Sequence, residues 1–229
     1  MNSTNVDYYY LYQKYKQKYV NLKYGGDKIS IINKEQLNLI IKDIYYLNIT
    51  ELVTFCDSHN IPYVIYEEQS NGQLKKTSAI DRKEIIIKKI LKFIEVADYL
   101  PSKSIIPFAV INKDPLPKIL TKNQKIFYGQ YSNANNNILL FMKKITDGQF
   151  KFGSIAQKIL WDNWTSGKAL TFEEFAKEWL NERVKRTGPI KEWAYLTDLH
   201  EKNITQSEWK KYRIIKAKAV IEILDKIRK

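Results

Sequence analysis

The first 28 residues show the apolar spacing of an amphipathic helix. The apolar stripe steps by four and three residues and consists of Tyr8, Tyr12, Tyr15, Tyr19 and Leu22. Lysines occupy the other faces, and Gly25 and Gly26 follow where a helix would end. We therefore predict a basic, tyrosine-rich helix within residues 1–28. It either packs on a larger body or acts as a basic arm against phosphate or a membrane surface.

Two helices and a hairpin are predicted next. Apolar residues recur at helical spacing over 37–44 and again over 49–59. Two β-prone runs, 63–66 and 74–77, then flank an Asn-Gly pair at 71–72. Such a pair is typical of the tight turn between antiparallel strands. The pattern therefore predicts a two-stranded β-hairpin after the second helix.

A third helix and then a linker are predicted after the hairpin. Ser78 lies three residues before Asp81 and ahead of an isoleucine-rich helical pattern, which indicates a helix start at Ser78. Four prolines then interrupt residues 97–120. They exclude a continuous helix, so we predict an extended linker or a surface loop. This segment separates a module at 35–96 from a domain at 121–229.

The domain at 121–229 is predicted to be helical and rich in tryptophan. Its helices are expected at 135–146, 155–164, 172–185 and 206–228, with a short piece around Trp193. Thr171 with Glu174 and Thr205 with Glu208 match the Thr-x-x-Glu capping pattern, in which the two side chains satisfy free amides at a helix start. Five tryptophans supply a large aromatic core. The fold class is therefore mainly α, with one small hairpin.

The net charge of the chain indicates which class of partner it binds. The 229 residues include 38 Lys+Arg against 25 Asp+Glu, a net charge of +13. Residues 1–34 carry +4 and residues 183–229 carry +7, which leaves +2 for the rest. Concentrated positive charge favours polyanions because bound counterions are released when phosphates are neutralised. Nucleic acid is the leading partner class, and the alternative is a lysine-rich surface that only faces solvent.

The cysteine content and the opening segment predict an intracellular protein. Cys56 is the single cysteine, so neither an internal disulfide nor a cluster of thiol ligands is expected. The first residues place lysines among tyrosines, where a secretory leader needs an uninterrupted apolar stretch. We expect neither secretion nor a membrane span.

Most of the chain resembles a known but uncharacterised family. The sequences ELVTFCDSHNIPYVIY and LKKTSAIDRKEIIIKKILKFI resemble SAP-like modules of a bacterial family, in which a helix, an extended turn and a second helix commonly bind DNA. LTFEEFAKEWL and KEWAYLTDL are similar to the remainder of that family. The resemblance covers about residues 35–229. It implies a helix–hairpin–helix DNA-binding module, here with a hairpin in place of the usual short turn.

The opening segment carries a second resemblance. YYYLYQKYKQKYVNLKYGG is similar to the start of many proteins of giant viruses related to the mimiviruses. It implies a viral protein in the host cytoplasm, acting in the replication compartment or packed in the virion, with viral protein partners for the N-terminal helix. The glycine pair at 25–26 either ends that helix or forms a processing site.

The SAP resemblance selects the candidate nucleic-acid contacts in the module. A helix start offers free amides to phosphate, and arginine adds a forked, charge-assisted contact. The expected contacts are Lys75, Lys76, Arg82, Lys83, Lys88, Lys89 and Lys92. Residues 42–94 hold eight bases and seven acids, so the alternative is that Arg82 pairs with Asp81 or Glu84.

The last helix supplies further candidates. Its predicted buried stripe is Trp209, Tyr212, Ile215, Ala219 and Ile223. This stripe leaves Lys210, Lys211 and Arg213 together outside, as a phosphate-binding face or a solvated one. Tyr128 and Tyr131 either stack on bases or anchor a loop in the core.

No catalytic, metal or cofactor site is expected. His59 follows Cys56 by three residues, a spacing with too few ligands for zinc, and no nucleotide-binding or hydrolase motif is found. The first functional hypothesis is a non-enzymatic protein that binds DNA or RNA. The second is a structural component of the virion or replication compartment, and the third is a metal-dependent nuclease built on dispersed acids such as Asp81 and Glu84.

Overall fold

The computed structural model describes residues 32–96, 99–132, 135–185 and 204–227, which are mainly helical with one small sheet. The α-helices are α1 (Lys34–Asp43), α2 (Ile49–Ser58), α3 (Lys83–Glu95), α4 (Asn136–Ile145), α5 (Ser154–Thr165), α6 (Phe172–Lys185) and α7 (Gln206–Ile227). The strands are β1 (Val64–Glu68), β2 (Leu74–Ile80) and β3 (Ser104–Ile106). Single turns of 3-10 helix lie at Ile44–Tyr46 and Phe108–Val110. The mainly α fold class is confirmed in this coarse form.

The chain divides into two compact units. Among the described residues the first unit comprises 32–61, 84–96, 99–101 and 205–227. The second unit comprises the described residues of 62–83 and 102–204. The division of the chain into functional parts at residues 96 and 121 stays a prediction.

The first unit is a helical body built from α1, α2, α3 and α7. Asn33 and Asn48 are the N-cap residues of α1 and α2. Each asparagine side chain accepts a hydrogen bond from the backbone amide of the residue three positions later. The side chain of that later residue accepts a hydrogen bond from the backbone amide of the asparagine. The fully buried side chains of Ile40, Leu52 and Ile86 form its core with α7 residues such as Val220. Apolar spacing therefore predicted most of the buried faces of α1, α2 and α3, although Ile41 of the predicted face of α1 is 41% exposed.

The sheet of the second unit contains the predicted hairpin and one more strand. Its order is β2-β1-β3, with β1 and β2 antiparallel and β1 and β3 parallel. Gly72 in the turn has φ +77°, a conformation that glycine adopts without a steric cost. β3 comes from the predicted linker, residues 97–120, so part of that segment is a strand.

The predicted helix start at Ser78 is wrong. Ser78 lies within β2, whose last residue, Ile80, pairs with Val64. The Asp81 amide then donates to the Tyr63 carbonyl at 2.8 Å, so extended pairing continues past Ser78 and α3 begins at Lys83. Hydrogen bonds to a partner strand outweigh the local capping signal because they satisfy several backbone groups at once.

The second unit has an aromatic core that includes three of the five predicted tryptophans, Trp161, Trp164 and Trp179, whereas Trp209 belongs to the first unit. Phe150, Phe172 and Phe175 are fully buried, and Trp164 and Trp179 are nearly so. The Phe150 ring centroid lies 5.7 Å from that of Phe175 and 5.2 Å from that of Trp179, distances that favour edge-to-face and tilted ring contacts. Burial of these large side chains fixes how α4, α5 and α6 pack.

Capping boxes begin α6 and α7 as predicted. The Thr171 amide donates to Glu174 Oε2 at 2.8 Å, and the Glu174 amide donates to Thr171 Oγ1 at 3.1 Å. The Thr171 amide lowers the pKa of Glu174 because it stabilises the charged carboxylate. Thr205 and Glu208 form the same reciprocal pair at the start of α7.

The buried side of α7 differs from the predicted stripe. Its buried residues are Ala217, Val220, Ile223 and Leu224, whereas Ile215 is 68% exposed. The helix is rotated from the expected orientation because Arg213 and Lys216 reach acids on the body of the first unit. Of the predicted stripe, only Ile223 is fully part of the core.

Several predictions fall outside the described residues. They are the helix at 1–28, the short piece around Trp193, and His200. Within the described ranges, every helix is too short or too polar to cross a bilayer.

Candidate functional site

The sheet of the second unit presents exposed lysines. Lys75 and Lys76, both predicted contacts, are exposed on β2, where their cross-strand partners are Glu67 and Tyr66. The Lys103 ammonium lies 4.7 Å from the centroid of the Tyr66 ring, a cation–π contact that holds the charge at the sheet. Lys103, which directly precedes β3, was not predicted as a contact because residues 97–120 were expected to form a linker. These three residues, Lys75, Lys76 and Lys103, are the sheet lysines.

The acids of the same sheet are engaged by partners within the second unit. Glu67 is 7% exposed, and its Oε2 accepts from Lys113 Nζ at 2.8 Å. Burial and, after it, the Glu67 carboxylate raise the pKa of the Tyr128 hydroxyl. The Glu68 carboxylate accepts the Phe108 amide at 3.0 Å. Both acids therefore have donors of their own, while the sheet lysines are exposed, Lys75 on the face of Glu67 and Lys76 on the face of Tyr66.

Arg82 lies at the end of the hairpin and forms an ion pair with Asp162, an acid that is distant in the sequence. Its Nη2 lies 3.2 Å from Asp162 Oδ1, and Lys158 Nζ lies 2.5 Å from the other oxygen of the same carboxylate. Asp162 is 80 residues from Arg82, so sequence spacing gave no signal for this pair. Lys83, the first residue of α3, is half-buried. Neither base is as exposed as the sheet lysines.

The three predicted bases of α3 have different surroundings in the first unit. Lys88 Nζ lies 2.6 Å from Glu84 one turn earlier, and the Lys92 ammonium lies 4.5 Å from the centroid of the Tyr99 ring. Lys89 is half-buried. Exposed pairs of this kind contribute little free energy, so Lys88 and Lys92 remain available to other anions.

The bases of α7 divide into an exposed set and an inward set. Lys210 and Lys211 are exposed. Arg213 was expected outside with them, but its side chain is 19% exposed, forms an ion pair with Glu51 and donates to the Tyr46 carbonyl at 2.9 Å. The placement of Arg213 on an outer face is therefore wrong, because a salt bridge with α2 turns it inward.

Lys216 is the second inward base of α7. Its ammonium lies 2.9 Å from Asp43 Oδ2, and the Asp43 side chain is only 6% exposed. The hydrogen bond to Asp43 raises the pKa of Lys216, since the charged form is the one that the carboxylate stabilises. Lys216 and Arg213 thus hold α7 onto the helical body, and only Lys210 and Lys211 of the predicted α7 contacts face outward.

The two tyrosines considered for base stacking lie around a pocket in the second unit. Its volume is about 600 Å³, and its lining residues are Tyr128, Gly129, Tyr131, Ser132, Gln157, Leu160, Trp161 and Trp164. The Tyr131 hydroxyl is buried without a hydrogen-bond partner, and burial raises the pKa of Tyr131. Tyr128 and Tyr131 therefore contact the core and line the pocket at the same time.

The residues considered for metal binding or catalysis take part in packing. The His59 ring stacks on Phe55 at 4.1 Å between centroids and meets Phe93 edge-on at 5.2 Å. Cys56 is buried and forms no disulfide. Within the described ranges, no group of three or more His, Cys, Asp or Glu side chains could hold a metal ion.

Comparison with known proteins adds no relative. No family model, no curated protein and no solved structure matches this chain. The resemblances of residues 35–229 to SAP-like proteins and of the opening segment to giant-virus proteins therefore stay predictions.

Proposed function

We propose that this protein binds nucleic acid, with DNA as the first candidate, by placing exposed lysines against phosphates and without a catalytic step. The observation that carries the proposal is the separation of charge at the sheet. Lys75, Lys76 and Lys103 are exposed, whereas Glu67 and Glu68 accept hydrogen bonds from within their own unit. A polyanion that reaches these lysines gains the entropy of released counterions.

The rest of the charge distribution supports the same class of partner. Lys210 and Lys211 are exposed near the start of α7 in the first unit, and the whole chain carries +13. We extend the proposal to a SAP-like role for residues 35–96 and to action in the replication compartment or virion of a giant virus, as the two sequence resemblances imply.

Salt-dependent binding tests the proposal. Fluorescence anisotropy with labelled duplex DNA, single-stranded DNA and RNA is measured from about 50 mM to about 200 mM salt. For duplex DNA, each phosphate contact contributes about 0.9 to the slope of log affinity against log salt. The double variant K75Q/K76Q should lower that slope by about 2.

A matched variant separates local contact from bulk charge. Lys143 and Lys144 are exposed in the last turn of α4, so K143Q/K144Q removes the same charge from another part of the second unit. We expect it to leave the slope nearly unchanged. Equal effects of the two double variants would refute a specific role for the sheet lysines. Affinity no greater than that of an unrelated protein with the same net charge would refute the proposal as a whole.

The non-enzymatic part of the proposal has its own test. Supercoiled plasmid is incubated with the protein and Mg²⁺ or Mn²⁺, and its topology is followed on an agarose gel. We expect the plasmid to stay supercoiled. Metal-dependent nicking that an Asp81→Asn variant abolishes would favour the nuclease hypothesis instead.

A further inference from the structure

The pocket of the second unit has aromatic walls. The Tyr128 and Trp161 ring centroids lie 5.6 Å apart with their planes tilted by 55°, and Trp161 meets Trp164 at 5.8 Å, nearly edge-on. The volume of about 600 Å³ falls within the range of small-molecule sites, about 300–1,000 Å³. Trp161 is half-buried, so part of its ring is accessible to a ligand.

A hydrogen bond and ring contacts orient the aromatic residues of the pocket. Trp164 Nε1 donates to the Ile126 carbonyl at 3.0 Å. The Tyr128 ring packs against both Trp161 and Trp164, with centroid distances of 5.6 and 5.5 Å. Rings that are already oriented lose little conformational entropy when a ligand stacks on them.

The polar groups in the pocket wall are uncharged. Gln157 and Ser132 line it, and the lining residues that the structure describes include no acid, lysine or arginine. A glutamine amide presents a donor beside an acceptor, which is the pattern needed to pair with the edge of a nucleobase. The pocket therefore suits a neutral, planar, heteroaromatic ring and does not suit a phosphate.

One basic side chain lies on the same side of α5 as Trp161. Lys158 comes three residues before Trp161, a spacing that makes the two neighbours on the helix surface, and its ammonium contacts Asp162. A cationic group therefore accompanies the aromatic ring, as in proteins that bind single strands by combining stacked rings with positive charge.

We infer that this pocket binds one unstacked nucleobase of a single-stranded nucleic acid. The inference rests on the proposed function and adds the strandedness of the ligand. A duplex keeps its bases stacked and paired, so it cannot fill the pocket without an energetic cost. The accessible part of the Trp161 ring stacks on one face of the base, and Gln157 recognises its edge.

Three labelled ligands test the inference: a single strand, the duplex of the same sequence, and an abasic strand with the same number of phosphates. Stacking of one base on an aromatic side chain gives about 10-fold in affinity. Wild-type protein should bind the single strand about 10-fold more tightly than the abasic strand. Trp161→Ala should remove that preference and leave the affinity for the abasic strand unchanged.

Two further variants keep the test decisive. Gln157→Leu removes the amide and keeps the aromatic walls, so it should weaken the base preference even if Trp161→Ala fails to fold. Phe108→Ala removes a 51% exposed aromatic ring outside the pocket and should change nothing. Equal wild-type affinities for single and abasic strands would overturn the base site and leave phosphate binding standing. Failure to bind any of the three ligands would overturn the proposed function and this inference together.

Discussion

The ion pair between Lys216 and Asp43 offers a quantitative test of which bases of α7 are structural. Asp43 is 4% exposed, and its carboxylate lies 2.9 Å from the Lys216 ammonium. The Lys216→Met variant removes that ammonium and leaves the carboxylate without its partner. Breaking a buried pair costs about 3–5 kcal/mol, because one charge stays buried and uncompensated. The Lys216 side chain is 24% exposed, so water compensates part of that cost. We expect a loss of about 2 kcal/mol in the free energy of unfolding.

Urea unfolding followed by far-ultraviolet circular dichroism measures this loss. With a denaturant dependence of about 2 kcal/mol per molar urea, the unfolding midpoint should fall by about 1 M. The double variant Asp43→Asn with Lys216→Met should recover part of the stability, since a neutral amide needs no counter-ion. Its recovery would show that the buried charge, and not the lost packing of the lysine stem, causes the effect.

Lys218→Met is the matched control on the same helix. Lys218 is 75% exposed and lies 4.0 Å from Glu222, so its replacement should change the free energy of unfolding by less than about 0.5 kcal/mol. If Lys216→Met and Lys218→Met shift the midpoint equally, the inward set of α7 bases does not hold the helix, and our account of its orientation is wrong.

Two further predictions concern stability. Thr171→Ala removes the hydroxyl that caps α6 and should lower the unfolding free energy by about 1 kcal/mol, while Thr171→Ser should keep most of it; equal urea midpoints for the two variants would contradict the capping role. Asp43 holds the pKa of Lys216 above its ordinary value of 10.5, so the stability from this pair is complete below that pH and is lost as pH rises through the raised pKa. Alkaline unfolding curves should therefore show a loss in the wild type that Lys216→Met lacks, and parallel curves would rule out this linkage.

Local interactions account for what the sequence predicted well. The capping boxes of Thr171 and Thr205 join residues three positions apart, so spacing alone reveals them. The hairpin turn depends on Gly72, whose positive φ a glycine adopts freely. The aromatic core follows from composition, because side chains as large as Phe150 and Phe175 must be buried somewhere in a folded domain. None of these predictions depends on which helix or strand packs against which other one.

The candidate site depended on contacts that the sequence does not reveal. Arg213 and Lys216 look like further outward bases of α7, yet they lie against Glu51 and Asp43, 162 and 173 residues away along the chain. Arg82 was assigned to DNA, and its partner Asp162 lies 80 residues away. A lysine or arginine carries the same charge on an outer face and in a buried pair, so only the position of a distant carboxylate decides its role.

The secondary-structure elements also divide into those set by local interactions and those set by contacts between distant segments. By itself the sequence determined most of the helices, the capped starts of α6 and α7 and the turn of the hairpin, because each depends on groups within about four residues of one another. Only the tertiary structure decided that Ser78 is in a strand, that β3 joins the sheet, and that Tyr128, Trp161 and Gln157 surround one pocket. Those outcomes depend on backbone pairing and side-chain packing between distant segments, whose free energy exceeds the local preference of any single residue.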